Sequence, residues 1–215
     1  LAYGWYLRRA RDTIDAAYRR SDRRVLVLGH SAGGWLARAT LGDGEWISGE
    51  RTASVVCGLV TLGAPHFPPP AGSPPCATRG ALAYCDEMLP GAHLASEGIS
   101  YVTVAGAAIE GSQARVGEGE GAGYDPTVPA REMLANGAAP TEADELYSRR
   151  GEGSAARVAF TNYQALAGDG GAVGDGVIPV SCAHLEGAEQ ITLDGVLHSI
   201  NEAGTTLPTE RWYGS

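Results

Sequence analysis

The chain has 215 residues, and its 25 acidic and 16 basic side chains give a formal net charge of -9. This length predicts a single domain spanning residues 1–215, and the sequence contains no apolar run of the ~20 residues that a membrane-spanning helix needs. Nucleic acid is excluded as the main partner, because a phosphate backbone repels so acidic a surface.

The cysteines indicate neither a disulfide scaffold nor a metal site. Cys57, Cys76, Cys85 and Cys182 lack the paired spacing of a structural zinc site. Their scarcity favours reduced thiols over the alternative, a bridge between Cys76 and Cys85. Since the sequence also has no phosphate loop or dinucleotide fingerprint, we expect no cofactor and no metal ion.

Hydrophobic periodicity predicts the elements in chain order. Apolar residues at helical spacing, Trp5 among them, predict an amphipathic helix that ends at about Arg20. The bare apolar run Val25–Leu28 is typical of a buried parallel strand, and a short helix is predicted at Trp35–Leu41. Three further strands are predicted at Ser54–Leu62, Ile99–Ala105 and Gln190–Leu193.

Two segments are not expected to form regular structure. Six prolines lie between Pro65 and Pro75, and each removes a backbone donor. The stretch Gly111–Gly123 is too rich in glycine and acidic residues to pack. Strands separated by helices or loops imply an α/β fold with a mostly parallel sheet, whose ligands bind beyond the carboxyl ends of the strands.

A candidate nucleophile follows the first predicted strand. Residues 29–33, with the sequence GHSAG, match the elbow pattern in which a serine occupies a strained turn between a strand and a helix. Gly29 and Gly33 are expected to let the backbone pass where a Cβ atom would clash. The strand before the motif and the helix after it favour Ser31 as the nucleophile.

A serine nucleophile needs a base, and the chain order expected for this fold is serine, acid, histidine. Of the 5 histidines, only His198 follows the last predicted strand, and it is the predicted base. His30 lies inside the elbow and is expected to point away from Ser31. The other candidates are His66, His93 and His184.

The acid is expected to orient the base. Asp175 is favoured, because a short turn followed by an apolar pair and a proline suits a fixed carboxylate. Asp169 and Asp194 are the alternatives, but Asp169 lies in a glycine-rich turn too flexible to hold an imidazole, and Asp194 lies in the turn just before the base, where it would instead brace that loop.

Several segments together resemble a group of plant and algal α/β-hydrolases, similar to lipases and more distantly to the GPI inositol-deacylase type. They are GHSAGGWLAR at 29–38, TLGAPH at 61–66, GDGVIP at 174–179, HLEGA at 184–188, DGVLHS at 194–199 and RWYGS at 211–215. The resemblance implies the triad Ser31, Asp175 and His198, and makes residues 107–157 a variable, partly flexible insertion. It also implies a plastid location, with the cytoplasm or endoplasmic reticulum as alternatives.

The same resemblance predicts that the domain lacks its N-terminal strands. The backbone N–H of Ala32 would then supply one oxyanion donor, and a segment before Leu1 would supply the second. We therefore expect a sheet of about four to five strands with Val25–Leu28 at or near an edge, where its backbone groups lack a partner. Activity of this chain alone is expected to be weak.

The sequence predicts a serine hydrolase of carboxylic esters, acting on a small-molecule or lipid ester through an acyl-enzyme. An acyltransferase with the same triad, or a non-catalytic binding protein of the same fold, remains an alternative. The loop Pro65–Leu89 is expected to border the substrate entrance, because it leaves the carboxyl end of a strand. His66 and Phe67 in this loop are the predicted substrate-binding residues.

Overall fold

The computed structural model describes residues 3–42, 51–73, 78–113 and 155–198. The helices and strands, numbered in chain order, are α1 Gly4–Ser21, β1 Val25–His30, α2 Ala32–Leu41, β2 Val56–Leu62, α3 Ala81–Met88, β3 Ser100–Ala107, β4 Ile109–Glu110, α4 at residues 155–167, β5 Val173–Gly174, α5 Val180–Ala183 and β6 Glu189–Asp194. All four predicted strands are confirmed, with ends that differ by two residues or fewer.

The main sheet is four-stranded and parallel, in the order β1-β2-β3-β6. Strands β4 and β5 form a separate antiparallel pair beside it. The predicted α/β fold with a mostly parallel sheet is therefore confirmed. In the part of the chain that the structure describes, β1 is an edge strand, as predicted.

One face of the sheet carries the main core. The register aligns Val27 with Leu59 and Leu59 with Tyr101, and these side chains pack with Ile14 of α1 and Leu41 of α2. Both helices therefore cover the same face of β1. The strand pairing brings the carboxyl ends of β1, β2 and β3 to one rim of the sheet.

The expectation that Val25–Leu28 is buried on both faces is wrong for the described residues. Leu26 and Leu28 point away from the core face and are 61% and 62% exposed. An apolar run predicts a strand, but it cannot show that helices lie on both sides of it.

The predicted position of Trp5 is also wrong. Helix α1 buries Leu7 and Ile14, whereas Trp5 is 62% exposed and packs edge-on against Tyr6. Two residues correspond to about 200° around an α-helix, so a helix that buries Leu7 turns Trp5 outward.

The remaining organisational predictions have mixed outcomes. Residues 65–73 contain no helix or strand, as the prolines indicate, but α3 follows within the same predicted loop.

Cys85 is a buried free thiol, so it forms no bridge to Cys76, which lies outside the described residues. Most of the predicted insertion, residues 114–154, also lies outside them. No helix in the described ranges has the length and apolar character needed to cross a bilayer.

Candidate active site

Ser31 occupies the junction between β1 and α2. Its backbone has φ 54° and ψ -129°, a conformation that side-chain-bearing residues rarely adopt and that costs on the order of 1–3 kcal/mol. Two hydrogen bonds hold the turn: the Ser31 N–H donates to the Leu62 carbonyl at 3.0 Å, and the Gly34 N–H donates to the Ser31 carbonyl at 2.9 Å. The neighbouring strand therefore stabilises the strained elbow.

The steric requirement for glycine in the elbow differs from the predicted one. A Cβ on Gly29 would lie 2.6 Å from the Gly33 carbonyl oxygen, and a Cβ on Gly34 would lie 2.2 Å from the Ala64 Cβ. Apart from its chain neighbours and the backbone of its own helix, a Cβ on Gly33 would meet no atom of the described residues within 4 Å. The close approach thus needs glycine at positions 29 and 34, and the steric role predicted for Gly33 is wrong.

His198 lies between Ser31 and Asp175. Its Nε2 is 2.9 Å from the Ser31 Oγ, and its Nδ1 is 2.7 Å from the Asp175 Oδ2. The side chains of His198 and Asp175 are 2% and 0% exposed. Because a carboxylate only accepts hydrogen bonds, Nδ1 carries the imidazole proton and leaves Nε2 able to accept the hydroxyl proton of Ser31.

The Asp175 carboxylate is fixed by its own turn. Oδ1 accepts hydrogen bonds from the backbone N–H groups of Val177 at 3.0 Å and Ile178 at 2.7 Å, which leaves Oδ2 for His198. The backbone carbonyl of Asp175 also accepts the His198 N–H at 2.8 Å. Asp175 therefore holds His198 through both main chain and side chain.

The two alternative acids occupy different places. Asp169 is exposed, and its Oδ1 accepts the Gly171 N–H at 3.0 Å within a local turn. Asp194 is exposed at the end of β6. Of the three aspartates weighed, Asp175 is the one that the structure places against the His198 Nδ1.

The alternative bases are also held elsewhere. His184 lies between the hydroxyls of Thr103 and Thr192, at 3.0 Å from each, and burial lowers its pKa. His93 contacts the Tyr101 hydroxyl at 3.5 Å. Neither arrangement involves the elbow.

The substrate-binding role expected of His66 is not compatible with its position. The side chain is fully buried, and its Nε2 lies 3.0 Å from the Thr61 Oγ1. Burial and, to a smaller extent, the charge of Arg38 lower the pKa of His66 to about 3, so this imidazole is neutral. Phe67 is half-buried against the main core. His66 is therefore buried and hydrogen-bonded inside the protein, whereas the sequence predicted it at the substrate entrance.

Two residues of α4, Asn162 and Tyr163, were missed in the sequence and support the acid. The Tyr163 hydroxyl accepts the Gly176 N–H at 2.7 Å and donates to the Ile109 carbonyl at 3.2 Å. The Asn162 side chain donates to the Gly176 carbonyl at 2.9 Å. Burial raises the pKa of Tyr163, so the phenol stays protonated and able to donate. Tyr163 thus anchors the residue next to Asp175.

Arg38 was also missed, and it connects α2 to the loop after β2. The side chain is fully buried, and it donates to the carbonyls of His66, Cys85 and Leu89. Burial lowers the pKa of its guanidinium. Since α2 begins directly after Ser31, these bonds fix the helix that carries the elbow.

A backbone donor lies next to the nucleophile. Ala32 is the first residue of α2, so its N–H has no acceptor within the helix and carries the partial positive charge of a helix N-terminus. Such a group is able to stabilise a developing oxyanion.

A cavity of about 880 Å³ lies between the proline-rich loop and the outer face of α4. Pro70, Ala71 and Ser73 line one side, and Arg157 and Phe160 line the other. The placement of the loop Pro65–Leu89 at the substrate entrance stays a prediction.

Comparison with known protein families matches the N-terminal part of the chain. Residues 4–76, about a third of the chain and including the elbow, match a family model described as PGAP1-like alpha/beta domain. Neither the curated proteins nor the solved structures gave a match. The chain is therefore distantly related to the lipase-like α/β-hydrolases, and its predicted plant or algal origin stays a prediction.

Proposed function

We propose that the chain is a serine hydrolase of carboxylic esters that carry an acyl or lipid group. One observation carries the proposal: the Ser31 hydroxyl, the His198 imidazole and the Asp175 carboxylate form a continuous series of hydrogen bonds of 2.9 and 2.7 Å. Nucleophilic acyl transfer needs this combination of a hydroxyl, a base in reach and a group that orients the base.

In the first half of the reaction, the Ser31 Oγ attacks the ester carbonyl carbon while its proton passes to the His198 Nε2. The carbonyl oxygen becomes an oxyanion, which the Ala32 N–H stabilises. The tetrahedral intermediate then loses the alcohol, whose oxygen takes the proton from Nε2. An acyl-serine remains.

In the second half, water replaces the alcohol. The water oxygen attacks the acyl carbon while the His198 Nε2 takes a proton from the water. Nε2 returns that proton to the Ser31 Oγ when the carboxylic acid leaves. The ester and one water thus give one acid and one alcohol. Asp175 stays ionised and stabilises the imidazolium in both halves.

The distant relationship to lipase-like proteins supports an acyl or lipid ester as the substrate. An alcohol that replaces water in the second half would make the same residues an acyltransferase. Product analysis separates the two activities, because transfer yields a new ester instead of the free acid.

The test compares the chain with Ser31→Ala and, as a matched control, Ser54→Ala, which removes an exposed hydroxyl that donates to the nearby Arg51 carbonyl. We expect a fluorophosphonate to modify Ser31, identified by peptide mass spectrometry. Ser31→Ala should lose this label and lose hydrolysis of p-nitrophenyl esters by about 10³-fold or more. Ser54→Ala should retain both.

Unchanged labelling of Ser31→Ala would identify a different nucleophile. Absence of labelling in the unaltered chain would favour the non-catalytic alternative. Both outcomes contradict the proposal.

A further inference from the structure

His30 contacts the proposed base, although the reaction described above does not use it. It is the last residue of β1 and directly precedes Ser31. Its ring lies against the ring of His198, with centroids 4.7 Å apart and planes inclined by 36°. Its Nε2 is 3.1 Å from the backbone carbonyl oxygen of His198. The expectation that His30 points away from Ser31 stays a prediction, but it did not foresee this contact with the base.

The chemistry of this contact fixes the direction of the hydrogen bond. A carbonyl oxygen only accepts, so the Nε2 of His30 carries a proton and donates it. His198 is then held on three sides: its N–H donates to the Asp175 carbonyl, its Nδ1 to the Asp175 carboxylate, and its own carbonyl accepts from His30.

These bonds connect parts of the chain that are far apart in sequence. Asp175 and His198 belong to the C-terminal part of the described chain, whereas Ser31 belongs to the elbow. The Ser31 hydroxyl forms one rotatable contact between the two. His30 adds a second contact, which uses the rigid strand next to the nucleophile and the main chain of the base.

We infer that His30 is a positioning residue for the Ser31–His198 pair. The ring N–H of His30 holds the backbone of His198 to β1, and the ring of His30 limits the rotation of the His198 imidazole. The inference rests on the proposed function, because only a reaction that uses this pair depends on their alignment. A displacement of about 1 Å at a reacting pair can cost on the order of 10²-fold in rate.

Two variants separate the two features of His30, and a third variant is their control. His30→Phe keeps an aromatic ring and removes the N–H, whereas His30→Gln keeps an N–H donor at a similar reach and removes the ring. Leu28→Ala is the control, since Leu28 lies two residues earlier on the same strand and face and is 62% exposed.

The measured quantities are the rate of fluorophosphonate labelling at Ser31, kcat and KM for a p-nitrophenyl ester, and the nitrogen-15 signals of the histidine rings. We expect His30→Phe to lower the labelling rate and kcat by roughly 10- to 100-fold with little change in KM. His30→Gln should recover part of this loss, and Leu28→Ala should match the unaltered chain. The ring signals of His198 should shift in His30→Phe, while those of His184 should not.

The inference is overturned if His30→Phe is labelled as fast as the unaltered chain, or if His30→Gln is impaired as strongly as His30→Phe. It is also overturned if the losses follow the free energy of unfolding of the variants. Failure of the proposed function gives a different result, because the unaltered chain and Ser31→Ala would then be labelled equally or not at all, whatever residue stands at position 30.

Discussion

Asp175 combines two roles that the sequence presents as alternatives. A turn-forming aspartate uses its carboxylate on nearby backbone N–H groups, and an orienting acid uses it on a histidine. Asp175 does both, because Oδ1 accepts from Val177 and Ile178 while Oδ2 accepts from His198. The turn therefore sets the direction in which the free carboxylate oxygen points.

At the scale of this residue we predict that Asp175→Asn lowers ester turnover by about 10³- to 10⁴-fold, because an amide in place of Oδ2 favours the wrong imidazole tautomer. Asp194→Asn is the matched control, since Asp194 is exposed at the end of β6. Fluorophosphonate labelling and ester hydrolysis measure the effect. A larger loss from Asp194→Asn than from Asp175→Asn would reverse the assignment of the acid.

The elbow shows how two elements constrain one another. Strand β1 and helix α2 meet so closely that Gly29 faces the backbone of Gly33, while Gly34 faces Ala64 in the segment after β2. The junction is thus packed by backbone on one side and by the loop after β2 on the other. Arg38 on α2 holds the same loop through the His66 carbonyl at 3.1 Å.

This packing gives a prediction for two glycines of one motif. Gly29→Ala should lower the free energy of unfolding by about 1–3 kcal/mol, because its Cβ would lie 2.6 Å from a carbonyl oxygen. Gly33→Ala, inside α2, should leave stability unchanged or raise it by up to about 1 kcal/mol, since alanine favours a helix. Urea unfolding measures both. An equal loss in the free energy of unfolding from both variants would show that the close contact at Gly29 does not distinguish it from Gly33.

The elements that sequence predicts here are those encoded by neighbouring residues. The elbow can be predicted because strand, serine turn and helix follow one another without a gap. His198 can be predicted because the expected chain order of the triad is serine, acid, histidine. Helix α4 was missed, since only Ala155, Ala159 and Tyr163, each four residues apart, are fully buried in it, and a glycine-rich region surrounds them. The contact of His30 could not be predicted, because it depends on a residue 168 positions away.

Across the whole molecule, buried polar groups connect the layers. Thr61 and Thr103 are neighbours in the parallel register and bind His66 and His184, respectively. Arg38 approaches the same region from α2 and binds the His66 carbonyl. The His66 Nδ1 has no hydrogen-bond partner among the described residues, so a proton added there would meet no acceptor and would face the positive charge of Arg38.

The last prediction is that mild acid destabilises the fold through His66. Burial lowers its pKa from 6.5 to about 3 in the folded chain, so between these values the unfolded chain binds a proton that the folded chain does not. The free energy of unfolding is then highest above about pH 6.5 and falls on acidification, by at most about 1.4 kcal/mol per pH unit from this group. Burial also lowers the pKa of His184, which adds a smaller loss of the same sign.

Urea unfolding between pH 7.5 and about pH 5 tests this effect while most carboxylates remain ionised. His66→Gln should flatten the dependence, because glutamine does not titrate and its amide can still bind the Thr61 hydroxyl. His184→Gln, the matched control, should flatten it less, since His184 keeps a partner on each ring nitrogen. If His66→Gln loses as much stability as the unaltered chain over this range, the proton responsible binds elsewhere, and the neutral state of His66 does not limit stability in acid.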